Sequence, residues 1–311
     1  MTAFNLTVSA NTQNFNLNTA LVAAGWNGTD VVEATITVNA GIYVWSDSTA
    51  SAGMNITTLP ANSTVSLINN GFIMGKGGAG GAAPGGFSAT ATADGQPGGP
   101  AISLATNIIL TNNSYIAGGG GGGAAGDYDG GGGGAGGGAG GTGKFGSNTP
   151  IAGGAGGAIG VAGSNGISAN YTYTVSSGGG GGRILPGNGG SAVLGQYVSQ
   201  NGIGKGGGAG GGGGASAWNG VGDNPGFSAY GGNGGARNSP ANFMGAYGSS
   251  DFPDLKQSCG GGGWGANGGT NFSYANPKNP HRVGGAGGKA IALNGYTVRF
   301  ITTGIIYGAV S

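Results

Sequence analysis

The chain is short of nearly every group that carries out chemistry. It holds one histidine, His281, one cysteine, Cys259, and one glutamate, Glu33, with only ten basic and nine acidic residues in 311. Catalysis needs paired titratable groups or an activated nucleophile, so this inventory argues against an enzyme, and no cofactor or metal site is expected. Gly141-Thr142-Gly143-Lys144-Phe145 approaches a phosphate-binding loop but lacks the hydroxyl residue after the lysine. A single cysteine cannot close an intrachain disulfide. Assembly in a reducing compartment, such as a bacterial cytoplasm, is expected from that absence. A net charge of +1 leaves no electrostatic footprint for nucleic acid or an anionic membrane. No transmembrane run is present, and Met1–Ala10 lacks the basic and apolar regions of a secretory signal.

What fills the chain instead is glycine, 83 residues of it, beside 11 prolines. That composition normally reads as low complexity or disorder. Disordered chains, however, are charged and poor in aromatics, whereas this one carries 4 Trp, 11 Tyr and 10 Phe. Ordering a glycine costs about 0.5–1 kcal/mol more than ordering an alanine. Runs such as Gly118–Gly123, Gly130–Gly134 and Gly210–Gly214 therefore demand either disorder or packing in which a Cβ has no room.

Residues 1–74 read as a small β-rich module. Phe4, Leu6 and Val8 alternate with polar residues, as do Phe15 and Leu17, and Ile36–Val38, Ile42–Trp45 and Val65–Ile68 are β-rich stretches bounded by Asn, Gly, Ser and Pro. A short helix is expected at Thr19 to Ala24, capped by Asn18 and stopped by Gly25. Residues 75–290 form the glycine-rich part and 291–311 a C-terminal β segment. Within the glycine-rich part an imperfect repeat recurs. Its opening phrase is Asn, an apolar pair, then glycine, as in Asn70–Gly78, Asn113–Gly118 and Asn201–Gly206. Its closing phrase sets Ala and an aliphatic after glycine: Gly99-Pro100-Ala101-Ile102, Gly156-Gly157-Ala158-Ile159, Gly190-Ser191-Ala192-Val193 and Gly288-Lys289-Ala290-Ile291.

An ordered glycine strand in the polyproline-II conformation makes no hydrogen bonds of its own and must find them in neighbours. Collagen meets that need with glycine at every third position, but these glycines are consecutive. The expected fold is mostly non-α: the β-rich module followed by a bundle of polyglycine-II helices joined by long loops, with N–H···O and Cα–H···O contacts between strands.

The sequence resembles the glycine-rich tip adhesins of tailed bacteriophages, the distal long-tail-fibre adhesins of T-even-type phages. It is also similar to the glycine-rich C-terminal segments of siphophage tail-tip proteins. The resemblance rests on Ala20–Gly28, Ser66–Gly78, the glycine blocks and the ending Thr302–Gly308. It implies an N-terminal module on a trimeric fibre or tail tip, present as a homotrimer or as a monomer on a trimeric shaft. It also implies a polyglycine-II sandwich and variable loops that bind an outer-membrane protein or surface glycan of the host. The implied location is the virion.

The loops between glycine blocks hold the aromatics: Tyr128, Phe145, Tyr171, Tyr173, Trp218, Phe227, Tyr230, Phe243, Tyr247, Phe252, Phe272 and Tyr274, together with Arg237. Rigid aromatics set among Ser, Gly and Asn give large contact area at small entropic cost, so these are the expected receptor-binding residues. Trp264, between two glycines, is expected to pack instead. Asp127 and Asp129 could chelate a hard cation but read more simply as solvated loop residues. A glycine-rich subunit of an extracellular filament or sheath is the alternative, and a disordered linker the third reading. Open-ended filaments in electron micrographs mark the former, and absence of cooperative melting the latter.

Overall fold

A computed structural model describes residues 2–85, 93–144, 146–170, 174–185, 258–270 and 282–311. Two hydrogen-bonding regimes organise them, and the first is parallel strand pairing. β1 (Thr2–Val8), β2 (Thr12–Gln13) and β3 (Phe15–Asn16) make one coil. Helix α1 (Leu17–Ala23) leads to a second coil of β4 (Val32–Val38), β5 (Tyr43–Trp45) and β6 (Met54–Ile56). The third coil is β7 (Thr64–Asn69), β8 (Phe72–Met74) and β9 (Ile102–Leu104), and the fourth starts with β10 (Ile108–Asn112) and β11 (Tyr115–Ala117). An antiparallel hairpin of β12 (Ser168–Asn170) and β13 (Thr174–Ser176) intervenes before β14 (Ile291–Ala292) completes that coil. β15 (Val298–Thr302) and β16 (Ile305–Tyr307) belong to the fifth.

Stacking these coils produces sheets ordered β1-β4-β7-β10-β15, β2-β5-β8-β11-β16 and β3-β6-β9-β14. The result is a three-sided parallel β-solenoid, extended on its third side by a parallel bridge between Ile291 and Val310. Inward residues alternate along each strand, so Val32, Ala34, Ile36 and Val38 are buried and meet Val65 and Leu67 of the next coil. At the corner after the first sheet, buried asparagines take over from valine. Asn69 Nδ2 donates to Asn112 Oδ1 at 2.8 Å, and Asn112 Nδ2 donates to the Thr303 carbonyl at 2.7 Å. Just outside, Asn113 Nδ2 donates to Asn70 Oδ1 at 2.9 Å. The repeated opening phrase is thus a corner whose backbone bends are held by amide ladders, because side-chain amides can satisfy both N–H and C=O groups there.

The helix starts earlier than its sequence signals suggest. It spans Leu17–Ala23 with Asn16, not Asn18, as N-cap, and the Asn16 side chain accepts from the Thr19 N–H at 3.1 Å. Leu17 and Leu21 lie one helical turn apart on the same face and are both fully buried. Burial of Leu17 draws it into the helix, although its alternation with Phe15 reads as strand. Gly25, at φ +99°, ends the helix as expected.

The second regime starts where the chain leaves the solenoid. Both excursions depart from the same corner, after β8 and after β11, and return at β9 and β14. Segments 75–83, 117–125, 138–143, 161–167 and 266–270 run outward from the solenoid, and 93–99, 130–136, 151–158, 177–183, 258–264 and 282–288 run back. In 117–125 the donors cycle among three neighbours. Gly119, Gly120 and Gly121 donate to Gly99 at 2.9 Å, Ala135 at 2.8 Å and Ala266 at 2.9 Å. Gly122, Gly123 and Ala124 then donate to Gln96, Gly132 and Gly269 on those same neighbours, at 2.8, 2.8 and 3.0 Å. Its carbonyls accept from three other segments, 75–83, 258–264 and 282–288. A repeat of three residues with six surrounding segments leaves no space for side chains.

How much of each triplet is glycine follows how many of its faces are covered. Gly118–Gly123 is glycine throughout and wholly buried. Segments 75–82, 153–158 and 284–289 carry a side chain at every third residue, and those residues (Lys76, Ala79 and Ala82; Ala155 and Ala158; Ala286 and Lys289) are the more exposed ones. At the edge, Val161–Ile167 keeps glycine only at Gly163 and Gly166, its buried positions. Solenoid and lattice meet in a second apolar cluster of Met74, Ala117, Ala135, Leu185 and Trp264, against which Tyr43, Phe72 and Tyr115 pack. Tyr43 and Phe72 stack across adjacent strands with ring centroids 4.6 Å apart, and Phe72 meets Tyr115 in a tilted pair at 5.8 Å.

A Cβ at Gly121 would overlap the Gly285 carbonyl oxygen. Gly121→Val is therefore expected to destabilise the fold by about 3 kcal/mol or more, at the upper end of overpacking. Ala79→Ser, on an uncovered face, should stay within about 0.5 kcal/mol. Thermal melting of the two variants against the parent checks the contrast.

Candidate functional site

The outward segments must reverse, and their turns gather at the end of the lattice away from the solenoid. Gly126, Asp127, Tyr128 and Asp129 make one turn, in which the Gly126 N–H donates to the Asp129 carbonyl at 2.8 Å. Neighbouring turns bond to it directly. The Gly85 N–H donates to the Asp127 carbonyl at 3.1 Å, the Lys144 N–H to the Tyr128 carbonyl at 2.9 Å, and the Gly146 N–H to the Gly85 carbonyl at 2.9 Å. The base of the β12–β13 hairpin lies at the same end, where Ser177 and Ile167 exchange hydrogen bonds. The Asp94 carboxylate accepts from the Val283 N–H at 2.7 Å, and Thr270 Oγ1 accepts from the Gly284 N–H at 3.1 Å.

At the centre of this end an ion pair is buried. Arg282 Nη2 donates to Asp127 Oδ1 at 2.8 Å, and the two side chains are 2% and 1% exposed. Arg282 Nη1 also donates to the Ala125 carbonyl at 3.3 Å. Asp129 is buried as well. The expectation that these carboxylates are solvated is therefore wrong. Adjoining turns cover the aspartates, and the first residue of segment 282–288 brings a guanidinium to one of them. Because Asp127 is committed to Arg282, it does not offer itself as half of a chelate. Among the described residues no group of three or more His, Cys, Asp or Glu stands together.

Of the expected receptor-binding residues, Tyr128 is described, and it is half-buried in the first turn. Phe145, Tyr171, Tyr173, Trp218, Phe227, Tyr230, Arg237, Phe243, Tyr247, Phe252, Phe272 and Tyr274 lie outside the described residues. Their described borders carry information nonetheless. Lys144 and Gly146 flank Phe145, Asn170 and Thr174 flank the tyrosine pair, and Thr270 and Arg282 flank Phe272 and Tyr274; all six stand at the outer end. The remaining positions fall between Leu185, in the seam cluster beside the solenoid, and Ser258, next to the outer end of segment 117–125.

Two further residues have structural roles. Trp264 is 1% exposed and donates Nε1–H to the Ile184 carbonyl at 3.1 Å, filling the seam. Cys259 is buried, which pushes its thiol up to about 12 and leaves no reactive thiolate at neutral pH. Arg282 escaped sequence reasoning. Its position at the head of a glycine segment, where a side chain would otherwise be excluded, is the signal that could have found it.

The described residues form a three-sided parallel solenoid that hands its chain to a glycine lattice whose turns cluster at the far end. Comparison with known proteins gives that architecture a family. Residues 3–191 match the sequence model of the family described as phage tail fibre adhesin Gp38. The chain belongs to the phage tail fibre adhesin Gp38 family, and it is a virion protein of the tail fibre, a receptor-binding adhesin acting in host attachment. No curated protein matches it in sequence. It is similar to a chain in the crystal structure of the gp37-gp38 adhesin tip complex of the bacteriophage S16 long tail fiber, at 18% identity, covering 98% of this chain and 81% of that one, with a TM-score of 0.46.

Replacing Arg282 by Met leaves the Asp127 carboxylate buried without its guanidinium, an expected loss of about 3–5 kcal/mol. Asp127→Leu combined with Arg282→Met should recover most of it. Urea denaturation of the single and double variants measures both.

Proposed function

We propose that this adhesin recognises a bacterial outer-membrane protein or surface glycan through loops held at the outer end of a polyglycine-II lattice. The observation that carries this reading is the convergence there of the turns that border Phe145, Tyr171, Tyr173, Phe272 and Tyr274, beside Tyr128. Loops on a rigid base can vary without disturbing it, and aromatic anchors supply contact at low entropic cost. Support for polyglycine II is the three-residue cycle of donors, which matches a three-fold helix whose N–H groups point to different neighbours. Trp218, Phe227, Tyr230, Arg237, Phe243, Tyr247 and Phe252 belong to the same proposed surface.

The opposite task, attachment to the fibre, falls to the β-rich part. Three sides suit a three-fold shaft, and among the described residues the first coil keeps an open face. Phe4 and Leu6 point inward in register with Ala34 and Ile36, yet both are only half-buried, whereas the residues they stack on are fully covered. A fibre partner continuing the stack would cover them and pair the free edge of β1.

Exchanging residues 218–230 and 237–254 for segments of other length and composition should change host range and cut adsorption more than tenfold, about 1.4 kcal/mol or more of binding, with unchanged melting. Unaltered adsorption would sink the loop reading. Leu6→Asp should abolish co-purification with the fibre protein while cell binding by the isolated chain persists. Retained fibre binding would rule out the first coil as the docking face.

A further inference from the structure

We propose that Lys76 and Arg183 form a binding site for a phosphate group at the seam between the solenoid and the lattice. Lys76 occupies the side-chain position of its glycine triplet, so its stem leaves the lattice, and Nζ donates to the Gly137 carbonyl at 2.6 Å. Arg183 ends segment 177–183, and its Nε–H donates to the Gly136 carbonyl at 3.0 Å. Gly136 and Gly137 form the turn between two lattice segments at φ +97° and +80°. A Cβ on Gly137 would overlap Arg183 Nε. Glycine at that turn lets the Arg183 guanidinium close against the backbone.

Two cations therefore share one peptide turn, and among the described residues no carboxylate forms an ion pair with either. The acid whose field reaches both is Asp47 on the solenoid, but its oxygens accept from Gln13 Nε2 at 2.6 Å and Asn14 Nδ2 at 2.8 Å. Burial first, and the charge of Arg183 second, hold the Lys76 ammonium down to about 8, with Asp47 opposing them. Burial also lowers Arg183. A fixed guanidinium fork beside an ammonium is the donor set that holds phosphate oxygens, and a dianion balances the two charges where a single carboxylate would not. Each cation has N–H groups left for it. Arg183 uses Nε alone among the described contacts, and Lys76 one of three.

The site stands apart from the outer turns, so its test needs no receptor. The intact chain is acylated with an acetyl active ester at pH 8.5, and labelling of each of its six lysines is followed by peptide mass spectrometry. Inorganic phosphate is compared with sodium chloride at equal ionic strength, and a hexose phosphate forms the second arm. Lys76 should label fast for a half-buried amine, and phosphate should slow it several-fold while exposed Lys289 is unaffected. Arg183→Met should remove that protection without changing the Lys289 rate. Stronger protection by the hexose phosphate identifies a saccharide-borne group as the ligand, and equal protection identifies free phosphate. Lys76 labelling indifferent to both anions, or protection that persists in Arg183→Met, overturns the proposal.

Discussion

The whole molecule depends on backbone hydrogen bonding between chains that carry no side chains at the contact. From Gly118 to Ala124 every residue presents one N–H and one C=O to different neighbours, and the segments approach until a Cβ would meet a carbonyl oxygen. A net hydrogen bond contributes about 0.5–1.5 kcal/mol, comparable with the extra entropy lost by an ordered glycine. Such a lattice can therefore hold together without an apolar core of its own, provided it is nucleated and capped. The lattice is joined to the solenoid, which has a conventional core of stacked Val, Ile and Leu.

The join between the two regimes explains much of the sequence outside the glycines. Parallel coils already run in the same direction and register, so the chain leaving β8 and β11 enters the lattice aligned. The Gly75 N–H donates to the Ala117 carbonyl and the Gly118 N–H to the Tyr307 carbonyl, which carries the coil-to-coil pairing into the first lattice residues. Aromatic contact among Tyr43, Phe72 and Tyr115, with Trp264 beneath, then seals the step. At the other end the described residues meet around a buried ion pair, Arg282 with Asp127.

Much of this architecture was legible in the residues. Alternation marked β1, β4, β5 and β7, and the opening phrases at Asn70 and Asn113 turned out to be stacked corners. Closing phrases at Ala101-Ile102 and Ala290-Ile291 marked the returns to β9 and β14. The phrase at Ala158-Ile159 ends instead in a single bridge to Arg183, since only its distance from the solenoid distinguishes it. Leu17 misled because alternation and helical spacing coincide over so few residues. The burial of Asp127 was not legible, as its partner is Arg282, 155 positions away in sequence.

Sequence by itself determined that the glycine segments must order against one another or not at all, since the composition supplies neither charge to solvate them nor side chains to fill a core. It also determined how many faces each segment can bury, because every third-residue side chain closes one face to close approach. Only the tertiary structure decided which segments become neighbours, which carboxylates are buried and where two cations share a turn. Glycine carries no side chain with which to specify a partner, so the choice passes to the solenoid that launches each excursion and to the turns that end it.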